Sequence, residues 1–342
     1  MKHLSLHVWQ FRKTFLYLVT AGTLLVAGCL KPKDPPPPVL KITTLASGLA
    51  TPIGMAIDKK GLVWVAESGT GKHDGKVSAI TPDGKKYDVI INMESVPFEG
   101  DVSGPTHLLF ADGILYILGE KDKLYKADVV GFKPGDAPIE GSKLAFEDIA
   151  PFILAYPFKN NTHDPHPYNL CLGPNGDIYI ADAGANAVLR RDKTGKLSVI
   201  AELPPIPNPT PLGPPMIDVV PTGIIYDGQN FFVSSLTGFP FPAGQSSVYK
   251  VSPTGNVSVY QTGFTMGVDI AQGGYLGRLV VELGQFGATG FVPKTGRLVW
   301  ANGSIPIKLT DGLNMPSGIT QASEHEWYVS SLADGTVLKV NY

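Results

Sequence analysis

Residues 169–183 read NLCLGPNGDIYIADA, and this segment contains the unit that decides the fold. A short apolar strand leads into a turn at Gly173-Pro-Asn-Gly176, and a second apolar strand then ends at an acidic residue. Two such strands joined by so short a turn form an antiparallel hairpin. The unit occurs six times, with its second strands at 61–68, 113–121, 176–183, 230–236, 277–283 and 326–332.

A longer period organises these hairpins. The first strands open at positions that lie roughly fifty residues apart, namely Gly54, His107, Asn169, Gly223, Asp269 and Gly318. About four short strands fit into each period, and such a repeat is typical of a β-propeller. The amphipathic helices that a parallel α/β sheet requires are not evident between the strands. The sequence therefore predicts an all-β, six-bladed propeller. The alternative, a pair of β-sandwiches, does not explain a six-fold repeat.

The two ends of the repeat complete each other. The last unit contains only three strands and finishes at 336–342, whereas residues 39–49 form one strand without a hairpin partner. Pairing these strands would close the ring and leave no exposed sheet edge. We therefore expect one propeller domain over 39–342, closed by its N-terminal strand joining the C-terminal blade.

The overall composition agrees with this fold. Of the 342 residues, 43% are hydrophobic and 17% are charged, which allows a large buried core. The 39 glycines and 30 prolines supply many turns. A net charge of −2, without a basic block inside the domain, argues against nucleic acid as a partner.

Residues 1–28 have the pattern of a lipoprotein signal peptide. Basic residues within 1–13 precede an uncharged run, TFLYLVTAGTLLVAG, which is too short to span a membrane. The junction VAGC at 26–29 resembles the lipobox of bacterial lipoproteins. That resemblance implies cleavage before Cys29 and attachment of acyl chains such as palmitate to this residue. An ordinary signal peptide with an incidental cysteine is the alternative.

Residues 29–38, CLKPKDPPPP, follow as a stiff, proline-rich tether. Leu30 comes directly after the cysteine, so the aspartate that would retain a lipoprotein in the inner membrane is not there. We therefore expect a protein of the bacterial cell envelope, anchored at the outer membrane of a Gram-negative host. The lipid is its only expected contact with the membrane.

The first strands of a propeller line its central channel, so their opening positions are the first candidates for a functional site. His107, Asn169 and Asp269 would project polar side chains into the channel mouth, and the glycines at the other three positions would leave room there. Asn169 and Asp269 offer hard oxygen ligands of the kind that Ca²⁺ prefers. Glu67 or Glu282 could add a carboxylate from an adjacent strand end.

Glu67 and Glu282 also allow a structural interpretation. The last position of the second strand carries an acidic residue or a serine in every unit: Glu67, Glu120, Asp182, Ser235, Glu282 and Ser331. A position that recurs in this way commonly accepts hydrogen bonds from loop amides.

Long segments are expected at one face of the ring, and these are 128–167, 203–221 and 237–247. Long ordered loops gathered on one face often carry function, and their prolines lower the ordering cost of binding. Phe239 and Phe241 would add aromatic surface there. In the segment His163-Asp-Pro-His166, the imidazoles could hold a transition metal, or His166 could transfer a proton at the channel mouth.

Several segments are similar to the ScyD/ScyE family, propeller proteins found with scytonemin pigment gene clusters in cyanobacteria. They are 169–192, LTGFPFPAG at 236–244 and YQTGFTMGVDIA at 260–271. The resemblance covers roughly 46–101 and 165–340. It implies a secreted, six-bladed propeller of the NHL or regucalcin type, and it implies no particular reaction.

More distantly, Pro167-Tyr-Asn169 resembles the strand of regucalcin and gluconolactonase propellers that carries an asparagine metal ligand. The acid that those enzymes place near the first blade has no clear counterpart, because Ser47-Gly-Leu49 stands there. Streptogramin lyases, a further propeller type, depend on channel histidines, for which this sequence offers His107 and His166.

Two functions therefore stay open. The first is an envelope-anchored, ScyD/ScyE-like lipoprotein that binds a small molecule or a protein partner at the loop-bearing channel face. The alternative is a calcium-dependent hydrolase or lyase of the gluconolactonase or streptogramin-lyase type. In that case Asn169 and Asp269 would hold the ion, and His107 or His166 would act as the base. The sequence leaves open whether the protein is an enzyme.

Overall fold

Six sheets follow one another along the chain, one for each unit of the repeat, and each has four antiparallel strands. The sheet of the first unit gains a fifth, parallel strand from the second unit. The structure, a computed structural model, describes residues 36–98, 101–160 and 162–342. The predicted signal peptide, Cys29 and most of the tether lie outside the described residues.

The described chain enters the fold through strand β1, and blades one and two follow. The strand β1 is Lys41–Ser47. Blade one consists of β2 (Pro52–Ile57), β3 (Val63–Glu67), β4 (Gly75–Ile80) and β5 (Lys86–Met93). A ribbon of β6 (Val96–Phe98) and β7 (Asp101–Ser103) leads into blade two. That blade consists of β8 (Leu108–Ala111), β9 (Ile114–Gly119), β10 (Lys123–Asp128) and, after the short strand β11 (Ile139–Glu140), β12 (Ala145–Asp148).

Helix α1 (Ala150–Ala155) separates blades two and three. Blade three consists of β13 (Pro167–Leu172), β14 (Ile178–Asp182), β15 (Ala187–Arg191) and β16 (Leu197–Glu202). The short strands β17 (Ile206–Pro207) and β18 (Met216–Ile217) pair before blade four. Blade four consists of β19 (Pro221–Tyr226), β20 (Phe231–Ser235), β21 (Ser246–Val251) and β22 (Val257–Phe264).

Blade five carries an extra hairpin. Its sheet consists of β23 (Gly267–Gln272), β24 (Arg278–Glu282), β27 (Gly296–Ala301) and β28 (Ile307–Leu313). The hairpin between β24 and β27 consists of β25 (Gln285–Gly287) and β26 (Gly290–Val292). Blade six contributes β29 (Pro316–Ser323), β30 (Glu326–Ser331) and β31 (Thr336–Asn341). Short 3₁₀ turns lie at Glu120–Asp122, Gly141–Lys143, Pro174–Gly176 and Gly274–Leu276.

The ring is closed by the first and last strands. β1 runs antiparallel to β31, with Lys41 opposite Asn341 and Ser47 opposite Thr336. The sheet of blade six therefore has the order β1-β31-β30-β29. The prediction of a six-bladed propeller closed by its N-terminal strand is confirmed.

The inner strands are buried on both faces, because each sheet packs between two others. All five residues of β3 and all five of β14 are buried. This explains why these strands are continuous apolar runs rather than alternating ones. Between blades one and two, Trp64 packs with Leu115 and Ile117. Burial of one such aliphatic side chain contributes roughly 2 kcal/mol to stability.

The strand order gives the ring two distinct faces. Connections between blades, and those between second and third strands, emerge at one end, which we call the loop face. Connections between first and second strands, and between third and fourth strands, emerge at the opposite end, which we call the hairpin face. Among the described residues, no helix is long and apolar enough to cross a membrane.

The expectation that 128–167 lies wholly at the loop face is wrong. Residues 129–144 join the third and fourth strands of blade two, and Val129 donates its backbone N–H to Gly113 in the hairpin-face turn between β8 and β9. The segment then crosses to blade one, where β11 pairs in parallel with β5. Only the part after β12, which itself supplies a fourth strand, belongs to the loop face.

Candidate functional site

Three side chains that are far apart in sequence meet at the centre of the ring. Asn169 on β13 donates a hydrogen bond from Nδ2 to Oδ1 of Asp269 on β23, at 2.8 Å. Nε2 of His107, directly before β8, lies 3.9 Å from Oδ2 of Asp269. All three side chains are buried. We call this group, His107, Asn169 and Asp269, the channel floor.

Backbone amides use the remaining capacity of Asp269. Its Oδ1 accepts the N–H of Ile270 and its Oδ2 accepts the N–H of Ile319, each at 2.8 Å. The carboxylate therefore links three first strands, because Ile319 belongs to β29. Burial outweighs these bonds and raises the pKa of Asp269 to about 7.

His107 is held as a neutral ring. Burial lowers its pKa to about 3, because a charged imidazolium is poorly solvated at the centre of the ring. Its ring lies against Tyr168, with 4.7 Å between the ring centroids. The nitrogens are buried without a well-formed hydrogen bond.

The prediction that the glycines at the other opening positions leave room in the channel is wrong. A Cβ atom at Gly54 would lie 2.6 Å from Cα of His107, and one at Gly318 would lie 2.3 Å from the carbonyl oxygen of Ile53. The backbone of an adjacent strand occupies this space. The glycines therefore allow the first strands to approach closely, and the channel is closed at this level.

The floor separates two cavities. The cavity at the loop face, which we call the funnel, has a volume of about 290 Å³, and the one at the hairpin face, which we call the cup, has about 240 Å³. Each first strand contributes to the funnel the residue just before its opening position: Ile53, Thr106, Tyr168, Thr222, Val268 and Ser317. His107, Asn169 and Asp269 border the cup instead. The structure therefore places these three away from the channel mouth where they were expected.

Of the predicted site residues, His166 is the one that borders the funnel. Its ring lies 6.3 Å from that of Tyr168, centroid to centroid. Solvent reaches His166, yet the funnel walls enclose it, and this partial desolvation lowers its pKa. His166 is therefore an exposed imidazole at the funnel whose pKa lies below the ordinary histidine value.

Glu67 and Glu282 border neither cavity and act as hydrogen-bond acceptors within the fold. Oε2 of Glu67 accepts the N–H of Ala50 at 2.6 Å, and Oε1 of Glu282 accepts the N–H of Thr265 at 2.8 Å. Asp182, in the same position of blade three, accepts two backbone N–H groups at 2.9 Å each. The structural interpretation of this position is confirmed for these three residues.

The floor does not fit the predicted calcium site. Oδ1 of Asn169 accepts the N–H of Leu170 at 2.7 Å, and Asn169 presents its amide N–H, not its oxygen, to Asp269. Both carboxylate oxygens of Asp269 are also occupied by N–H donors. In the part of the chain that the structure describes, no group of three or more His, Cys, Asp or Glu residues is placed to hold a metal ion.

An aromatic cluster at the loop face includes two residues that were not among the predicted ones. Phe241 lies 6.1 Å from Phe239 and 5.0 Å from Phe286, and Phe286 lies 5.3 Å from Phe291, measured between ring centroids. Phe286 and Phe291 belong to the extra hairpin of blade five. The unusually long interval between the second and third strands of that blade was the available signal.

Charged residues at the loop face are concentrated on blades one to three. The segments 203–220, 237–246 and 283–295 from blades three to five, which we call the charge-poor crown, contain two charged residues, Asp218 and Lys294. At this end blades one to three carry the lysines Lys72, Lys121 and Lys159 and a larger set of acidic residues, namely Asp101, Glu120, Asp122, Asp148, Asp164 and Asp182. Burial and the other carboxylates raise the pKa of Asp122 to about 7. The funnel opens between these two regions.

Solved structures with this architecture include three enzymes. A gluconolactonase from Xanthomonas campestris aligns with 91% of this chain and 96% of its own, with a TM-score of 0.56 and 12% identity. A PQQ-bound aldose sugar dehydrogenase from Streptomyces coelicolor aligns with 89% of this chain and 99% of its own, with a TM-score of 0.55 and 16% identity. A streptogramin B lyase aligns with 88% of this chain and 97% of its own, with a TM-score of 0.53 and 17% identity. The chain shares their propeller fold.

At these identities the likeness is one of fold alone. No protein-family model matches the chain, and the search of curated proteins found no match. The propeller's function therefore has to be argued from its own cavities.

Proposed function

We propose that this protein is an envelope-anchored β-propeller that binds a small molecule in the funnel. The observation that carries the proposal is the funnel itself, a cavity of about 290 Å³ with a closed floor and walls from all six blades. Six first strands fix the base of the cavity, so little order has to be gained on binding.

The anchor rests on the sequence. The VAGC junction and the proline-rich tether support a lipid on Cys29, and the ScyD/ScyE resemblance supports a secreted propeller. Cys29→Ser should release the protein from the membrane fraction or leave its precursor uncleaved. Mass spectrometry of the wild-type N-terminal peptide is the direct measurement, and an unmodified cysteine there would contradict the anchor.

Blocking the funnel tests the binding site. Leu332→Trp places a larger side chain on the funnel wall, and Leu172→Trp makes the same change at an exposed position of the hairpin face. A ligand identified by thermal shift should stabilise the wild type by roughly 2.7 kcal/mol at a hundredfold excess over Kd. The shift should persist in Leu172→Trp and vanish in Leu332→Trp. An equal shift in both variants would place the ligand elsewhere.

A hydrolase or lyase is the second candidate, and His166 is the observation that favours it. The residue is accessible, neutral and inside the funnel, as a general base should be. His107 lacks this access because it is buried in the floor. If the protein turns over a gluconolactone or a streptogramin, His166→Ala should lower kcat about 10²- to 10⁴-fold. The exposed residue His163, changed to alanine, is the control.

A further inference from the structure

Opposite walls of the funnel have different chemistry. On the side of blades one to three, the wall carries polar groups among apolar ones: Asp101, Ser103, Thr106, His166 and Tyr168, together with Ile53, Phe98, Val102 and Ala183. On the side of blades four to six, the wall is mainly apolar and its polar groups are the hydroxyls of Thr222 and Ser317. The apolar residues on this side are Val220, Leu236, Val268, Leu283, Phe291, Met315 and Leu332. A ligand that satisfies both walls must itself have a polar end and an apolar body.

Asp101 is the acidic residue of the described funnel lining, which contains no lysine or arginine. It begins β7, opposite Phe98 in the ribbon, and it is exposed. Its Oδ1 accepts the N–H of Val102 at 2.8 Å, and none of the ion pairs among the described residues includes it. Asp101 therefore presents a carboxylate to the cavity without a cation from the protein.

One further carboxylate lies behind this side of the funnel. Ser103, the last residue of β7, donates its hydroxyl to the carboxylate of Glu120. The ammonium group of Lys121 pairs with Glu94 and offsets part of the Glu120 charge. The carboxylate of Asp101 still makes the polar wall negative, and an anionic ligand would be repelled from it.

The apolar wall continues into the charge-poor crown. Phe291 borders the funnel and also packs in the aromatic cluster, and Phe98 on the opposite ribbon is 57% exposed. Aromatic faces at the mouth suit an apolar body, and they also attract an ammonium group through their ring quadrupoles.

We propose that the ligand of the funnel is an amphiphilic cation, an amine with an aromatic or aliphatic body. This inference rests on the proposed function. The ammonium group lies beside Asp101, and the body packs on Phe291, Leu283 and Leu332. A neutral molecule of the same shape gains the apolar contacts only, and a carboxylate of the same shape meets a negative wall.

Three probes that share a phenyl group on a short alkyl chain separate the contribution of the charge from that of the apolar contacts. They are phenylbutylamine, phenylbutanol and phenylbutyrate, each titrated into the full-length protein by calorimetry. The amine should bind about tenfold more tightly than the alcohol, and the carboxylate should bind most weakly. Added salt should reduce the preference for the amine and leave the alcohol unchanged.

Asp101→Asn should weaken the amine about tenfold and leave the alcohol within about twofold, because only the charge is removed. The matched control is Asp112→Asn, an exposed carboxylate in the hairpin-face turn of blade two, which should change neither affinity. Its left-handed backbone, with a φ of 49°, tolerates asparagine.

The outcomes distinguish the inference from the proposed function. Equal affinities of amine and alcohol for the wild type, or an Asp101→Asn variant that binds the amine unchanged, would overturn the cationic ligand and leave a binding funnel. If Leu332→Trp binds all three probes as the wild type does, the proposed function falls as well. If no probe binds the wild type, the amphiphilic ligand is wrong.

Discussion

The funnel and the cup lie at opposite ends of one channel and share the same six first strands, yet their polar groups are used differently. At the floor above the cup, Asp269 accepts one hydrogen bond from Asn169 and two from backbone amides. In the funnel, Asp101 accepts one local backbone N–H, and His166 is open to solvent.

This difference indicates that the floor residues serve the stability of the fold and the funnel residues serve binding. Polar atoms whose hydrogen bonds are filled within the fold hold strands together and have nothing left for a ligand. Polar atoms left open at the loop face contribute little to folding and are available for recognition. Variants at the two levels should therefore affect different measurements.

The largest effect should come from Asp269→Ala. This change leaves the amide of Asn169 and two backbone N–H groups without their acceptor in the buried floor. At about 1–3 kcal/mol for each unsatisfied group, partly offset by relaxation, the free energy of unfolding should fall by about 3–5 kcal/mol. Asp101→Ala should change it by less than about 0.5 kcal/mol. Urea denaturation of both variants makes the comparison, and similar losses would contradict the division between floor and funnel.

The protonation of Asp269 in the floor should make the stability of the protein depend on pH. The folded pKa of Asp269, about 7, exceeds the unfolded value of ~3.9, so the folded state binds more protons between these values. The stabilising contribution of this protonated group is full below pH ~4 and is lost as the pH rises toward 7. The stability of the wild type relative to Asp269→Asn should therefore increase as the pH falls from 7 to ~4.

His107 should act in the opposite direction. Its folded pKa, about 3, lies below the unfolded value of ~6.5, so the unfolded state binds more protons between these values. The stability of the wild type relative to His107→Phe should fall as the pH falls below ~6.5. Denaturation curves for both variants across this range check the two signs, and a flat difference would refute the assigned protonation states.

A smaller effect is expected from Gly54→Ala. The added methyl group would lie 2.5 Å from Cδ2 of His107, so the floor must shift to accept it. Overpacking of this kind costs about 1–3 kcal/mol. Gly131→Ala is the control, because a Cβ atom there meets nothing within 4 Å. A thermal melt that does not distinguish the two variants would mean that the strands at the floor can separate freely.

The smallest effect on stability should come from His166→Ala. Its backbone N–H, which donates to Asp182, is retained, and the side chain is exposed. We expect a change in the free energy of unfolding below about 0.5 kcal/mol. A loss above about 2 kcal/mol would show that His166 supports the fold and would weaken its assignment to the funnel chemistry.

The fold could be predicted because its signal is periodic. A repeat near fifty residues fixed the number of blades, and the unpaired strands at the two ends indicated how the ring closes. The same alignment brought His107, Asn169 and Asp269 to one level of the channel, where the structure places them. These predictions depend on hydrophobic pattern and count, which each blade repeats.

The position of that level could not be predicted in the same way. In each first strand, the residue that borders the funnel and the floor residue are adjacent, as Val268 and Asp269 show. Which of two adjacent residues reaches which cavity depends on the tilt and stagger of all six strands. The path of 129–144 was missed for a related reason, because it depends on the pairing of β11 with a strand of another blade.

The pairing of β1 with β31 also has a consequence for the order in which the protein can fold. Lys41 is among the first residues of the domain to be synthesised and Asn341 among the last, yet they are partners in one ladder. The ring cannot close until β31 has emerged, whatever the earlier blades have already formed. Until then, residues 41–47 are an unpaired strand, and the edge of blade six is available to another chain. Slow translation of the C-terminal unit therefore extends the period in which nascent chains can aggregate.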